Sequence, residues 1–475
     1  MTQAATPALR MLIDGRLVAA AGTPLDVLDP ATERLAGQVP DATDAQLEGA
    51  IEAAGRAFTT WSAVPLEARR AVLRSIAAVI REHIDELALL LTAEQGKPLD
   101  AARGELHSAL HWCEGFAEME FPADEVRETG AHRIRIRHVP LGVVAGLVPW
   151  NVPIALAIWK IAPALLTGNT IVVKPSPFTP LTMLRIGELL AEADAVPAGV
   201  LNIVSGDDHI GPKLSEHPGI RKIAFTGSTA TGKKVMASAA RNLARVTLEL
   251  GGNDAAIVLP DVDTVAEKVF WACFMNTGQV CVASKRVYVH EDVYDAFARR
   301  FVEVAAKVKV GDGREEGVQL GPLQNRAQYE QVVALIEDTA ASGARFLVKG
   351  DIPDGPGYFV HPTVVDDPAD DSDIVRLEPF GPVVPLLRFR DIDEVVERAN
   401  ASEYGLGGSV WSGDTEVAEQ IAARIETGVV WINDGPRLAP DLPFGGHKSS
   451  GLGVENGTAG LLEYTDTQVL WSRTA

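Results

Sequence analysis

The sequence predicts an α/β protein built on a doubly wound parallel sheet, with a second α/β unit after it. Three observations carry this. From Gly142 to Leu250, five short apolar runs alternate with segments of helical periodicity, the signature of a parallel sheet wound with helices. After Gly251-Gly252 a second alternation of the same kind begins. The glycine and polar residues of the first unit gather where its strands should end: Asn151, Lys174, Ser205-Gly206, Gly227-Ser228 and Glu249. Ligands of such sheets bind at those carboxyl ends.

In chain order, Met11-Leu12-Ile13 and Arg16-Leu17-Val18 flank Asp14-Gly15, a two-residue hairpin signal. Asp41 to Phe58 places Leu47, Ile51, Ala54 and Phe58 at helical spacing, and Pro65 suits the first turn of the next helix. Gly96 and Pro98 punctuate a later helix end. The first hundred residues therefore read as mostly amphipathic helices, either a domain of their own or a layer on a later sheet. Arg133-Ile134-Arg135-Ile136-Arg137 alternates strictly, as a solvated edge strand does, or one that leaves the globule to pair elsewhere.

Strands are then expected at Val143 to Val148, Thr170 to Val173, Val200 to Val204, Lys222 to Phe225 and Arg245 to Leu250. The intervening helices span Ile154 to Leu166, Leu181 to Ala193, Ile210 to Leu214 and Thr229 to Asn242. The second unit opens with a strand at Ala255 to Leu259 and a helix from Thr264 to about Met275. Cys281 follows, and then a strand from Ser284 to Val289. Helices at Val293 to Lys307 and Gln328 to Ala341 come next, then strands at Val383 to Phe389 and Val429 to Asn433. Gly445 to Gly451 has no periodicity, and Tyr464 to Trp471 reads as a closing strand.

The net charge of −21 excludes functions that need a basic face for a phosphate backbone, so no nucleic-acid partner is expected. No apolar run approaches the roughly 20 residues of a spanning helix, and Met1 to Arg10 lacks the pattern of a signal peptide. The three cysteines, Cys113, Cys273 and Cys281, have no metal-ligand spacing, and no metal site is expected. Few cysteines fit a reducing compartment, and the expected location is cytoplasmic.

Each candidate residue also has an ordinary structural reading. A lone cysteine is more often a small buried hydrophobe than a nucleophile. Asn151, beside Pro149 and Pro153, is a natural turn residue, and its amide can also donate to an oxyanion. Glu249 ends a strand where sites are built. Gly227 to Lys234 has the spacing of a phosphate loop, but Lys234 stands where Ser or Thr would hold magnesium. A nucleoside triphosphatase is therefore disfavoured, although a helix N-terminus opening on Gly227-Ser228 suits a pyrophosphate. There is no G-x-G-x-x-G after the first strand.

Seven stretches together resemble the NAD(P)-dependent aldehyde dehydrogenase superfamily. They are Val148-Pro149-Trp150-Asn151, Val173-Lys174-Pro175-Ser176, Phe225-Thr226-Gly227-Ser228, Leu248-Glu249-Leu250-Gly251-Gly252, Gly278-Gln279-Val280-Cys281, Glu378-Pro379-Phe380-Gly381-Pro382 and Pro443-Phe444-Gly445-Gly446. They occur in the family's order and cover most of the chain. The resemblance implies a Rossmann-type cofactor domain (1–121 and 141–250), an α/β catalytic domain (251–445) and a small β oligomerisation arm (122–140 and 459–475). It implies Cys281 as nucleophile, Asn151 with the Cys281 backbone N–H as oxyanion donors, and Glu249 as the base that hydrolyses a thioester. Pro149, Trp150, Lys174, Ser176, Gly206, Gly227, Ser228, Glu378 and Phe380 are the implied cofactor contacts. The implied partners are a small-molecule aldehyde and further copies of the chain, as a homodimer or homotetramer, without a membrane.

The cofactor is expected to be NAD or NADP, with NAD the first expectation. Many NAD-preferring members carry glutamate three residues after the lysine; here it is Pro177, which neither binds ribose hydroxyls nor repels a 2′-phosphate. The segment from Asn433 to Asp441, in the family's substrate-entry region, contains no aromatic residue. A catalytically silent protein on this fold is disfavoured by the presence of Cys281, Glu249 and Asn151. An acyl-transferring relative that uses coenzyme A is disfavoured by Glu249.

Overall fold

The computed structural model describes residues 8–262 and 264–474. The stretch read for a targeting signal lies outside the described residues up to position 7. The expected hairpin forms, with Met11 paired to Val18 across Asp14 and Gly15, both at positive φ. The expected five parallel strands form too. They stand in the order Leu201–Ile203, Thr170–Lys174, Val143–Leu147, Ile220–Thr226, Arg245–Glu249. The chain winds outward from Val143–Leu147 in one direction, then returns to its other side with Ile220–Thr226. The strand order thus reverses between these two, and their carboxyl ends, Leu147 and Thr226, open a crevice.

Two short antiparallel edges complete this sheet to eight strands. The hairpin adds on through Leu12 and Ile203, and Gly451–Leu452 pairs with Leu248 and Glu249. The second edge corrects the reading of Gly445 to Gly451 as wholly aperiodic. A two-residue strand is too short to show alternation.

The N-terminal helices are a layer on this sheet. Asp44–Trp61, Leu66–Glu82, Ile84–Gln95 and Leu99–Glu118 bury their apolar faces in the same continuous core as the parallel strands. Two elements in this region were not legible. The hairpin of Leu25–Asp29 with Arg34–Val39 turns at Glu33, which adopts a positive φ. Helix Leu99–Glu118 buries alanines and a glutamate along with its larger residues, which weakens its apolar stripe. Helix Thr229–Ala239 stops earlier than expected. Asn242 instead donates to His217 O and Ile220 O, and Leu243 turns at positive φ.

The second sheet has seven strands, six of them parallel. Asp254–Val258 and Ser284–His290 lie near its centre, and Arg345–Val348 is its antiparallel edge. Strand Thr465–Arg473 does not close this sheet. It pairs along nine residues with His132–Pro140, which also pairs with Glu125–Thr129. His132–Pro140 is thus the centre of a separate three-stranded ribbon, not a solvated edge. Among the described residues no helix is long and apolar enough to cross a membrane.

Candidate active site

Cys281 follows a distorted turn. Helix Ala266–Phe274 gives way to a 3₁₀ turn, Met275–Gly278, in which Asn276, Thr277 and Gly278 all take positive φ. Two non-glycine residues in that region are costly, and the surroundings hold them there. Thr277 Oγ1 donates to Gly321 O at 2.9 Å, and Gln279 Oε1 accepts from Gln324 N at 2.9 Å. Gly278 is required: a Cβ there would stand 2.2 Å from Gly381 O. Lys285, buried on the next strand, donates to Cys273 O and Gly381 O and locks the turn from behind.

Asn151 reaches this loop from the crevice of the first sheet. Its Nδ2 donates to Gln279 O at 3.0 Å, and its own backbone oxygen accepts from Asn276 Nδ2 at 3.1 Å and Lys97 Nζ at 3.0 Å. An asparagine amide has two hydrogens, so one remains beyond the bond to Gln279. The adjoining helix, Pro153–Leu166, has no cap from its own chain neighbours. Glu105 serves instead, accepting from Ile154 N at 2.7 Å.

Glu249 ends its strand fully inside, and neither carboxylate oxygen has a hydrogen-bond partner. Burial, with a further push from Glu455, raises its carboxyl well above the ordinary range, while Lys160 pulls the other way. Lys160 itself is wholly buried and donates to Glu455 Oε1 at 2.8 Å and Thr226 Oγ1 at 2.7 Å. Asn151, Glu249, Glu455 and Cys281 all line one cavity of about 260 Å³. Burial also raises the Cys281 thiol, and the carboxyls of Glu378, Asp254 and Glu249 add to this. Burial thus disfavours the charged forms of both groups in the resting pocket.

Cys281 and Asn151 also face a second cavity, of about 230 Å³, with Pro149, Trp150, Gly227, Ser228, Glu378 and Phe380. Trp150 meets Phe380 edge to face at 5.3 Å. Glu378 accepts from Gly252 N at 3.0 Å, and burial lifts its carboxyl to about 7. This space continues, past Pro149, Trp150, Gly227 and Ser228, into a cavity of about 480 Å³ that includes Lys174 and Ser176. Ser228 caps helix Thr229–Ala239 there, accepting from Thr231 N. Lys174 is buried and donates to Pro175 O at 3.4 Å, and burial lowers its ammonium to about 8.

These features fit a dinucleotide. A long cleft has a helix N-terminus for a pyrophosphate at its middle, a weakly partnered ammonium at one end and a carboxylate at the other. Gly206 is the one candidate set apart from the cleft lining. It packs against Asp41 and Ile210, and Asp208, Gly211 and Ser215 line that side. Lys234 and Ser238 line it too, unforeseen because a helix shows its ligand face only once docked. Around Cys281 the residues not foreseen are Trp112, Trp159, Lys160, Phe444 and Glu455. Lys160 left a signal, as the single cation in an otherwise apolar helix; such a charge needs a buried partner. Among the described residues no group of three or more His, Cys, Asp or Glu is arranged to hold a metal ion.

A family model described as the aldehyde dehydrogenase family matches residues 17–470. A probable aldehyde dehydrogenase from a Pseudomonas species is 44% identical, over 93% of this chain and 90% of its own length. Among solved structures, an NAD⁺ complex of aldehyde dehydrogenase from Bacillus cereus superposes with a TM-score of 0.95. It is 36% identical, covering 98% of this chain and 97% of that one. An Escherichia coli structure described as an NADP-dependent enzyme also superposes at 0.95, with 36% identity and 98% coverage of both chains.

Proposed function

Because the chain belongs to the aldehyde dehydrogenase family, we propose that it oxidises an aldehyde to the carboxylic acid through a thioester on Cys281 that Glu249 hydrolyses. The observation that carries this reading is the single cavity shared by Cys281, Asn151 and Glu249, open towards the dinucleotide-shaped cleft.

The Cys281 thiol gives up its proton to water, its Sγ attacks the carbonyl carbon, and the carbonyl π electrons move onto oxygen. The free amide hydrogen of Asn151 and the Cys281 backbone N–H stabilise that oxyanion. A bound nicotinamide dinucleotide supplies a hydride acceptor. Lys174, Ser176, Gly206, Gly227, Ser228, Pro149, Trp150, Glu378 and Phe380 would hold it. Loss of hydride leaves the acyl group on sulfur. Glu249 then takes a proton from water, hydroxide adds to the acyl carbon, and Cys281 leaves as the thiolate. Lys160 and Glu455 hold the carboxylate's surroundings fixed.

The reading assigns cofactor binding to 1–121 with 141–250, catalysis to 251–445 and assembly to 122–140 with 459–475. The cytoplasm is the proposed location. NAD and NADP both fit a cleft in which Pro177 stands beside Lys174. Absorbance at 340 nm with a panel of aldehydes and each cofactor, with and without coenzyme A, tests the activity. Reduction that needs no coenzyme A is the expected result. Reduction only with coenzyme A would replace hydrolysis by acyl transfer.

The ribbon supports a homodimer or homotetramer. Its strand Thr465–Arg473 exposes Val469, Leu470 and Trp471 in a row, the last at 65%, a surface that favours coverage by another chain. Light scattering at micromolar concentration should give a multiple of the chain mass. Leu470→Asp with Trp471→Asp should shift it to the monomer. A monomeric parent protein would contradict the assignment.

A further inference from the structure

The cavity beyond Cys281 has a distinct chemistry of its own. Its volume, about 260 Å³, exceeds the roughly 150 Å³ of an apolar cavity that holds benzene. There is room for a ring and a short arm. Its walls are rings: Trp112 stacks on Trp159 at 5.1 Å and 23°, and Phe444 meets Trp159 edge-on at 5.7 Å. The entry segment adds only Pro436 and Leu438, so the aromatic surface comes from two helices and the Phe444 strand bridge instead.

Charge narrows the choice further. No lysine, arginine or histidine lines the cavity, while Glu249 and Glu455 do. Two buried cations that bond to its lining are already committed, Lys160 to Glu455 and Thr226, and Lys97 to Glu105 and Asn151 O. An anionic tail would lose its hydration and meet only carboxyls. A cationic tail finds Glu455 already paired with Lys160 at 2.8 Å, and burial disfavours the charged form of Glu249.

The shape is fixed rather than adaptable. Trp112 Nε1 donates to Asn456 Oδ1 at 2.9 Å. The helix carrying Trp112 packs so closely on the entry segment that a Cβ at Gly115 would stand 2.3 Å from Pro440. A preformed slot favours a rigid, flat ligand over a flexible chain of equal area.

We propose that the aldehyde taken here is uncharged and carries an aromatic ring, joined to the carbonyl directly or by a short methylene arm, with the ring against Trp112, Trp159 and Phe444. This rests on the functional reading above. The test is steady-state kcat/KM for benzaldehyde, phenylacetaldehyde, propanal, succinate semialdehyde and trimethylammonioacetaldehyde, on the full chain with its preferred cofactor. One of the two aromatic aldehydes should exceed propanal by about tenfold or more, the scale of favourable ring contacts added to burial. Both charged aldehydes should fall below propanal.

Trp112→Leu should reduce the aromatic-to-propanal ratio about tenfold. Trp112→Phe, which keeps a ring but loses the bond to Asn456, should retain it within about threefold. The ratio is insensitive to partial unfolding, which lowers both rates together. Preference for either charged aldehyde, or a ratio unmoved by Trp112→Leu, would overturn the inference while leaving the enzyme an aldehyde dehydrogenase. If none of the five is oxidised although cofactor binds, the functional reading falls and this inference with it.

Discussion

Cys281→Ala is expected to lower aldehyde oxidation by at least about 10⁴-fold while cofactor affinity stays within about threefold. Removing a covalent nucleophile deletes both half-reactions, and losses of this order are usual for such residues. The size follows from the absence of a substitute. Cys113 and Cys273 are buried in the core, and neither lines the cavities beside Cys281. Only Cys281 is partly exposed and borders the cavities. Alanine also fits the turn, since the strained residues are Asn276, Thr277 and Gly278 rather than Cys281. Stopped-flow absorbance and cofactor titration on one preparation check both parts. Near-native turnover in the variant would remove Cys281 from the reaction.

Glu249→Gln should divide the reaction in two. The first half needs a thiolate, an oxyanion site and a hydride acceptor; only deacylation needs a base for water. Rapid mixing should therefore show one equivalent of cofactor reduced per active chain. Steady turnover should then fall by about 10²- to 10⁴-fold, the usual share of a general base. The pH profile carries the same assignment. Because the Glu249 carboxyl is raised by burial and by Glu455, its basic form is scarce at low pH and populates as pH rises. Steady turnover of the parent protein should rise with pH through that ionisation, and the rise should vanish in Glu249→Gln. Loss of the burst together with turnover would instead make Glu249 the base that activates the thiol.

The parts legible in sequence are those with a local cause. The five parallel strands are short and mostly buried, and three of them end in a polar residue, Lys174, Thr226 and Glu249. Asn151, Lys174, Gly227 and Glu249 could be picked out because strand ends are where such sheets build sites. The parts missed depend on contacts distant in sequence. Glu455 reaches Lys160 across 295 positions, and Trp112 reaches Asn456 across 344. No periodicity anticipates either. Gly206 also stands at a strand end, where a Cβ would meet Ile210 and Asp41. The fold class follows from patterns a few residues long, whereas the walls of the substrate cavity follow from how two units dock.

The central claim is that Cys281 carries the acyl group and Glu249 removes it. Peptide mass spectrometry of Glu249→Gln, acid-quenched after a single turnover with an aldehyde and cofactor, tests this most directly. The account predicts the acyl mass on the peptide containing Cys281, in one-to-one amount with the cofactor reduced, and unmodified Cys113 and Cys273. An acyl mass on either of those two, or full cofactor reduction with no acylated cysteine, would contradict it.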